Sequence, residues 1–269
     1  MRREHVLVAV LLLSVSIGVP EKLHAQQPSD VRVADLVQAG KLRAGIGVVA
    51  PHWAVKDQAS RELRGVAIEI ARSLADRIGA LLVPVEYPSP PKVLDGAKEN
   101  AWDVGFLAID PSRATLVDFS SPYLEIDATF LVPEGSKIRG VADTDQTGVR
   151  IAVTGNSVEE IVLKRTIKKA ELQSVDTIPA GFDLLRAGKV DVLAAPRPAL
   201  VQFSVRISGS HVLDDRFHVA FAGIAVAKGQ SARLSYVNEF VQHAKASGLI
   251  QQAIEDVGVR GVQVAAAPR

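Results

Sequence analysis

The chain has 269 residues, 48% of them apolar and 23% charged, with 31 Lys and Arg against 30 Asp and Glu. A net charge this small, without a basic stripe, leaves no electrostatic case for nucleic acid or an anionic membrane surface, and the composition suits one large or two modest globular domains. No cysteine is present, which excludes disulfides, thiolate metal sites and lipid attachment through an N-terminal cysteine.

Residues 1–25 read as a cleavable secretory signal peptide. Met1-Arg2-Arg3 is the positive start, Val6 to Val19 the apolar run, and Leu23-His24-Ala25 the small-residue site before Gln26. The run is too short to span a bilayer comfortably, and no later stretch is long and apolar enough to cross one.

VADLVQAGKL then reads as a short helix stopped by Gly40, and Leu42 to Val49 as the first strand. The loop after it carries His52 and Trp53 beyond the strand's carboxyl end, where open α/β sheets bind ligands. Trp53 there is either a packed cap or a ligand platform. Val66, Ile70, Leu74 and Ile78 form a helical stripe ended by Gly79. LLVPVEY is the second strand, placing Tyr87 and Ser89 at its carboxyl end; PSPPK reads as a rigid turn and VLDGAKEN as a short helix.

Ala101 to Tyr123, AWDVGFLAIDPSRATLVDFSSPY, is the stretch around which the rest is organised. It begins as a buried strand, and DPSR then opens a helical turn with Asp110 at the N-cap and Pro111 at the first position. Arg113 in that turn either completes an anion socket with the free backbone N–H groups or pairs with Asp110 or Asp118. DATFLV follows as a crossing strand, and the pattern then restarts. Arg150 to Val153 is a strand, Thr154-Gly155-Asn156-Ser157 a turn, and Val158 opens a helix, with Ser157 and Glu160 spaced as a capping box. The turn's N–H groups either serve that cap alone or meet an anion. ELQSVDTI, GFDLLRAGK and VDVLAAP read as strand, helix and strand. FHVAFAGIAVAKG is the return strand, two helical stripes separated by Gly248 follow, and VQVAAAPR carries no clear pattern. The alternation argues for an α/β fold with mostly parallel strands.

The stretch from Ala101 to Tyr123 resembles the central signature of type 2 periplasmic solute-binding proteins, in the amino-acid-binding family 3 branch of ABC transporter substrate-binding proteins. That signature is a strand, a Thr-x-x-Arg turn and Val-Asp-Phe-Ser-x-Pro-Tyr. Asp110 stands where the family usually has Thr, and Ala108 where it often has a ligand-binding Ser. Gly65 and Glu69 match the family's approach to its first long helix, whereas Ala67 replaces an acidic residue; GIAVAKG resembles the return into the first lobe. The resemblance covers nearly all of the chain after residue 25.

What it implies is an α/β fold of two lobes, periplasmic-binding-protein-like (type II), with two hinge crossings and a cleft between the lobes. Lobe 1 would comprise 26–126 and 222–260, lobe 2 residues 127–221, and 261–269 a flexible tail. Arg113 would fork onto a ligand carboxylate, aided by backbone N–H groups of the Asp110–Arg113 turn and of Asn156 and Ser157. Trp53, Tyr87 and Tyr123 would be apolar walls, with Ser89 and His52 as lesser polar contacts and Ala108 at the ligand-binding Ser position. Pro196, followed by Arg197, occupies the place of the acidic residue that holds a ligand's amino group, so an organic acid or an atypical amino-acid derivative is expected. The implied protein is a monomeric solute-binding component of an ABC-type uptake system, free in the periplasm. Its partner is a membrane permease, and it has no cofactor and no metal. The alternative is a cyclohexadienyl-dehydratase-like enzyme on the same fold with Glu125 or His52 as acid or base; a soluble partner of a membrane sensor is a third reading that sequence does not separate from transport.

Overall fold

The computed structural model describes residues 30–34, 36 and 40–266; the signal peptide assigned to residues 1–25 lies outside the described residues. Helix α1 (Val31–Ala34) leads into β1 (Lys41–Gly47), followed by the small hairpin β2 (Val55–Lys56) and β3 (Leu63–Arg64). Helix α2 (Val66–Ile78) then buries Val66, Ile70, Leu74 and Ile78, and Gly79 closes it in the left-handed conformation. Strand β4 (Leu81–Tyr87), helix α3 (Pro90–Lys98) and β5 (Val104–Ala108) follow. The expected rigid turn at PSPPK is instead the first turn of α3, because proline fits the opening positions of a helix, where no N–H is needed.

A single 3-10 turn (Arg113–Thr115) leads to β6 (Val117–Phe119) and the long β7 (Leu124–Val132). The pattern then repeats as β8 (Arg150–Thr154), α4 (Val158–Thr166), β9 (Glu171–Val175), α5 (Ile178–Arg186) and β10 (Val192–Pro196). Helix α6 (Arg197–Ser204), β11 (His211–Val212) and the return strand β12 (His218–Ala227) come next, then α7 (Ser231–Ala246), α8 (Leu249–Val257) and β13 (Val262–Val264).

The strands form a continuous path in the order β4-β1-β5-β12-β7-β10-β8-β9. Each half is a 2-1-3 parallel set. In the first, β1 lies between β4 and β5; in the second, β8 lies between β9 and β10. The two sets are joined by antiparallel β7 and β12. Strand β12 pairs with β7 from His218 to Ala222 and with β5 from Ala222 to Ala225. Strand β7 meets β12 up to Ala128 and β10 from Ala128 to Leu131. The fold is thus the two-lobed α/β architecture with two crossings.

The halves also share a device that sequence patterning did not expose. Arg43 at the start of β1 donates through its backbone N–H and its guanidinium to the Asp103 carboxylate, each at 2.8 Å. Arg150 of β8 does the same to Asp191, at 2.8 and 3.0 Å. In both lobes this clamp ties the first strand to the residue that leads into the third. The expected free tail is partly corrected: β13 pairs with β7, and Ala265 N–H donates to Tyr123 O at 3.0 Å. Pairing satisfies backbone groups of β7 that would otherwise form an open edge.

Candidate functional site

The carboxyl ends of β1, β5, β8 and β10 converge where the lobes meet. Ala50 packs into the core cluster of the second lobe beside Ala195 and Ile178. Val158 at the start of α4 packs into the cluster of the first lobe. Between these contacts lie two adjoining small cavities of about 30 Å³ each, both lined by His52, Trp53, Ser157, Glu159 and Pro196. Arg113 and Ala108 complete one of them, Ser89 and Thr154 the other. A wider cleft mouth reaches Arg113 from outside between Ser89, Ser112 and Asn156.

Arg113 is 3% exposed and sits at the head of the 3-10 turn. Its Nη1 donates to Ala108 O at 3.0 Å, within its own lobe. Its Nη2 donates to Asn156 O at 3.3 Å, across the cleft. Burial lowers its pKa, and the nearby carboxylates of Glu159 and Asp110 partly oppose that effect. A guanidinium has five N–H donors in a planar fork, so donors remain for an incoming carboxylate.

His52 is buried to 1% exposure, and neither ring nitrogen has a hydrogen-bond partner among the described residues. Burial pushes its pKa down to about 3, so the ring is neutral and offers one donor and one acceptor to the cavity. Its loop is fixed from below: Val66 N–H donates to Pro51 O at 2.9 Å. Gly65 at φ 150° permits this approach, since a Cβ there would lie 2.4 Å from Trp53 O. Trp53 is 3% exposed and rests 5.0 Å from the His52 ring.

Residues 42–257 match the bacterial extracellular solute-binding proteins, family 3. The chain belongs to that family. It is 25% identical to the ABC transporter glutamine-binding protein GlnH of Bacillus subtilis (strain 168) over 254 residues, 90% of each chain. It is 23% identical to the L-cystine-binding protein TcyJ of Escherichia coli (strain K12), over 93% of each. The solved structure of the solute receptor for L-cysteine of Neisseria gonorrhoeae superposes with a TM-score of 0.75 at 22% identity, covering 84% of this chain and 92% of that one.

Within this solute-binding protein the expected site residues divide. His52, Trp53, Ser89, Ala108, Arg113, Ser157 and Pro196 meet around the cavities, and Asn156 lies at their mouth. Tyr87 does not join them: it packs with Trp102 and Val93 beneath the first lobe, its hydroxyl against Gly96. Tyr123 is fully buried in the core, edge-on to Phe106 at 6.1 Å. Tyr123, just before β7, points into the core, whereas Tyr87, the last residue of β4, is partly buried against α3 and away from the cavities. Asp110 is buried behind the 3-10 turn, where its Oδ1 accepts from Ser112 N–H at 2.8 Å. Glu125, the expected acid or base of the enzyme alternative, accepts from Gln263 at 2.6 Å and Ala266 N–H at 3.2 Å, and so anchors the C-terminal strand instead.

The backbone donors expected to hold an anion are already used. Arg113 N–H donates to Asp110 O at 3.0 Å and Ser157 N–H to Thr154 O at 3.2 Å. Asn156 N–H donates at 2.8 Å to Glu160, whose own N–H donates to Ser157 Oγ at 3.2 Å. Ser157 thus caps α4 as expected, but the reciprocal half of the capping box shifts by one residue: Glu160 takes the N–H of Asn156, so a carboxylate of the chain itself occupies the turn. Arg197, next to Pro196, is spent on the carbonyls of Leu213, Asp214 and Asp215 at 2.7 to 3.1 Å.

One residue of the cavity lining, and one within electrostatic reach of it, escaped sequence reasoning. Glu159, 8% exposed, lines both cavities from the first turn of α4. His218 on β12 is partly buried, its pKa lowered by that burial against the pull of Glu159 and Asp110. The only sequence signal for Glu159 was its place two residues after the turn that follows β8.

Proposed function

We propose that this protein is the solute-binding component of an ABC-type uptake system, taking a small carboxylate-bearing, amino-acid-like solute between its lobes. The observation that carries the reading is Arg113: a buried guanidinium with donors to spare, lining a small cavity at the junction of two lobes. Its carboxylate partner would bind through a charge-assisted fork, with Trp53 as the apolar wall and His52, Ser89 and Ser157 as polar contacts. The relatives' names, glutamine-binding and L-cystine-binding, support an amino-acid-like solute.

In this reading the lobes divide as 26–126 with 222–260, and 127–221. The change of partner along β7 at Ala128 and along β12 at Ala222 supports that division. The protein acts as a monomer in the periplasm after loss of residues 1–25, and its partner is a membrane permease. No helix among the described residues is long and apolar enough to cross a membrane.

Thermal unfolding against a panel of amino acids, keto acids and dicarboxylates tests the proposal. A ligand at a hundred times its dissociation constant adds about 2.7 kcal/mol, which is several degrees in Tm. A shift with a compound that is recovered unchanged supports a binding protein. Consumption of the compound would replace that reading with an enzyme.

A further inference from the structure

We infer that His52 determines the specificity of the cleft by reading an uncharged end of the solute, one that both donates and accepts a hydrogen bond as a primary amide does. This rests on the proposed function: the carboxylate goes to Arg113, and the inference names what the rest of the solute carries. His52 is 1% exposed, and both of its ring nitrogens are buried without a hydrogen-bond partner among the described residues. Two such nitrogens are costly in a protein interior, where a histidine that serves packing alone normally bonds to a neighbouring group. Tyr123 Oη is likewise unpartnered among the described residues, but it lies in the core and lines neither cavity. His52 lines both.

The loop fixes the ring in this place. Trp53 N–H donates to Ala50 O and Val66 N–H to Pro51 O, each at 2.9 Å, so the backbone on both sides of His52 is tied. The Trp53 ring packs beside the imidazole at 5.0 Å. A side chain held in this way loses little freedom when a ligand arrives.

Arg113 lines only one of the two cavities, so His52 borders both the space beside the arginine and the space beyond it. The second space is bounded by Ser89 and Thr154, with Ile178, Ala194 and Ala195 as apolar surface, and no Lys or Arg lines it. Glu159 is the one acidic residue there. A carboxylate end would enter beside Glu159 without a counter-charge. An ammonium end only donates, and would leave the imidazole N–H without an acceptor. An apolar end would satisfy neither nitrogen. Burial keeps the ring neutral, its pKa pushed down to about 3, so it presents one donor and one acceptor together. A primary amide matches both.

Cavities of about 30 Å³ have room for water. Selectivity follows, because a solute end that replaces water without reproducing its hydrogen bonds loses affinity.

The test is titration calorimetry with two sets of amino acids, L-asparagine, L-aspartate and L-leucine, and L-glutamine, L-glutamate and L-homoleucine. Within each set the shape is kept and the end changes from amide to carboxylate to apolar. Wild type should bind the amide of at least one set about 10- to 100-fold more tightly than its apolar partner, the loss expected when buried polar groups are left unpaired. His52→Leu should abolish that preference, with His52→Phe in its place should His52→Leu fail to fold. His52→Gln keeps a donor and an acceptor and should recover most of the preference, a difference that a merely space-filling residue would not show. Tighter binding of the acid or the apolar compound by wild type in both sets would overturn the inference, as would an amide preference unchanged in the apolar variant. In either case the solute-binding reading stands. Failure of wild type to bind any of the six compounds would remove the amino-acid-like solute and the inference together.

Discussion

The Arg113 guanidinium bonds to both lobes at once, to Ala108 O at 3.0 Å on its own side and to Asn156 O at 3.3 Å on the other. The bond within the lobe orients the fork, and the longer bond across the cleft makes lobe approach and arginine placement a single event. A carboxylate bound as proposed would complete an arrangement whose protein half is already held in position.

Arg113→Ala should weaken solute binding by about 100-fold or more, because a forked pair consists of two charge-assisted bonds. Arg113→Lys keeps the charge but loses the fork and should recover only part of the affinity. Calorimetric titration of both variants checks this; full affinity in Arg113→Ala would place the carboxylate elsewhere.

Acid should destabilise the fold through His52. Its folded pKa, about 3, lies below the ordinary histidine value of 6.5, so between these the unfolded chain binds a proton that the folded chain does not. Stability is full above pH 6.5 and falls with pH at about 1.4 kcal/mol per unit across that window from this group alone. His218, also lowered by burial, acts in the same direction. Denaturant midpoints measured from pH 7 to pH 4 should fall less steeply in His52→Gln than in wild type.

The twin arginine clamps should be unequal in strength. The Asp103 side chain is fully buried and Arg43 is 26% exposed, whereas Arg150 and Asp191 are 40% and 37% exposed. Arg43→Ala leaves the buried Asp103 carboxylate with the backbone N–H of residue 43 but without its counter-charge, and should cost about 3 kcal/mol. Arg150→Ala, at a solvated pair, should cost much less than Arg43→Ala. Urea denaturation of the two variants measures the difference, and equal losses would contradict it.

Trp102 lies against two glycines of the first lobe. A Cβ at Gly45 would fall 2.5 Å from its Cδ1, and one at Gly105 would fall 2.9 Å from its Cζ2. Its Nε1 is held by Val93 O at 2.8 Å, so the ring has little freedom to move aside. Gly45→Ala should therefore cost about 1–3 kcal/mol by overpacking. Because the site lies at the strand ends, solute affinity measured below the melting range should stay within a few-fold of wild type.

Periodicity and punctuation determine a great deal here. The stripe Val66, Ile70, Leu74 and Ile78 specifies α2, the apolar runs specify β1, β5, β8 and β10, and the repeated strand–helix order specifies two α/β halves. These features are local, since hydrogen-bond geometry repeats every 3.6 or two residues, and the pattern is written within each segment. Arg113 was legible for the same reason: it lies inside one continuous motif. What only the tertiary structure decided is where strand-end side chains turn and which polar groups find partners. Tyr87 and Tyr123 look like cleft aromatics in sequence, but packing takes Tyr123 into the core and lays Tyr87 against α3. Glu159 and Glu160 are chemically identical neighbours, yet the helix turns one toward a cap and the other toward a cavity that it shares with Arg113, a residue 46 positions earlier in the chain. Whether a buried charge is satisfied depends on groups distant in sequence, and folding alone brings those groups together.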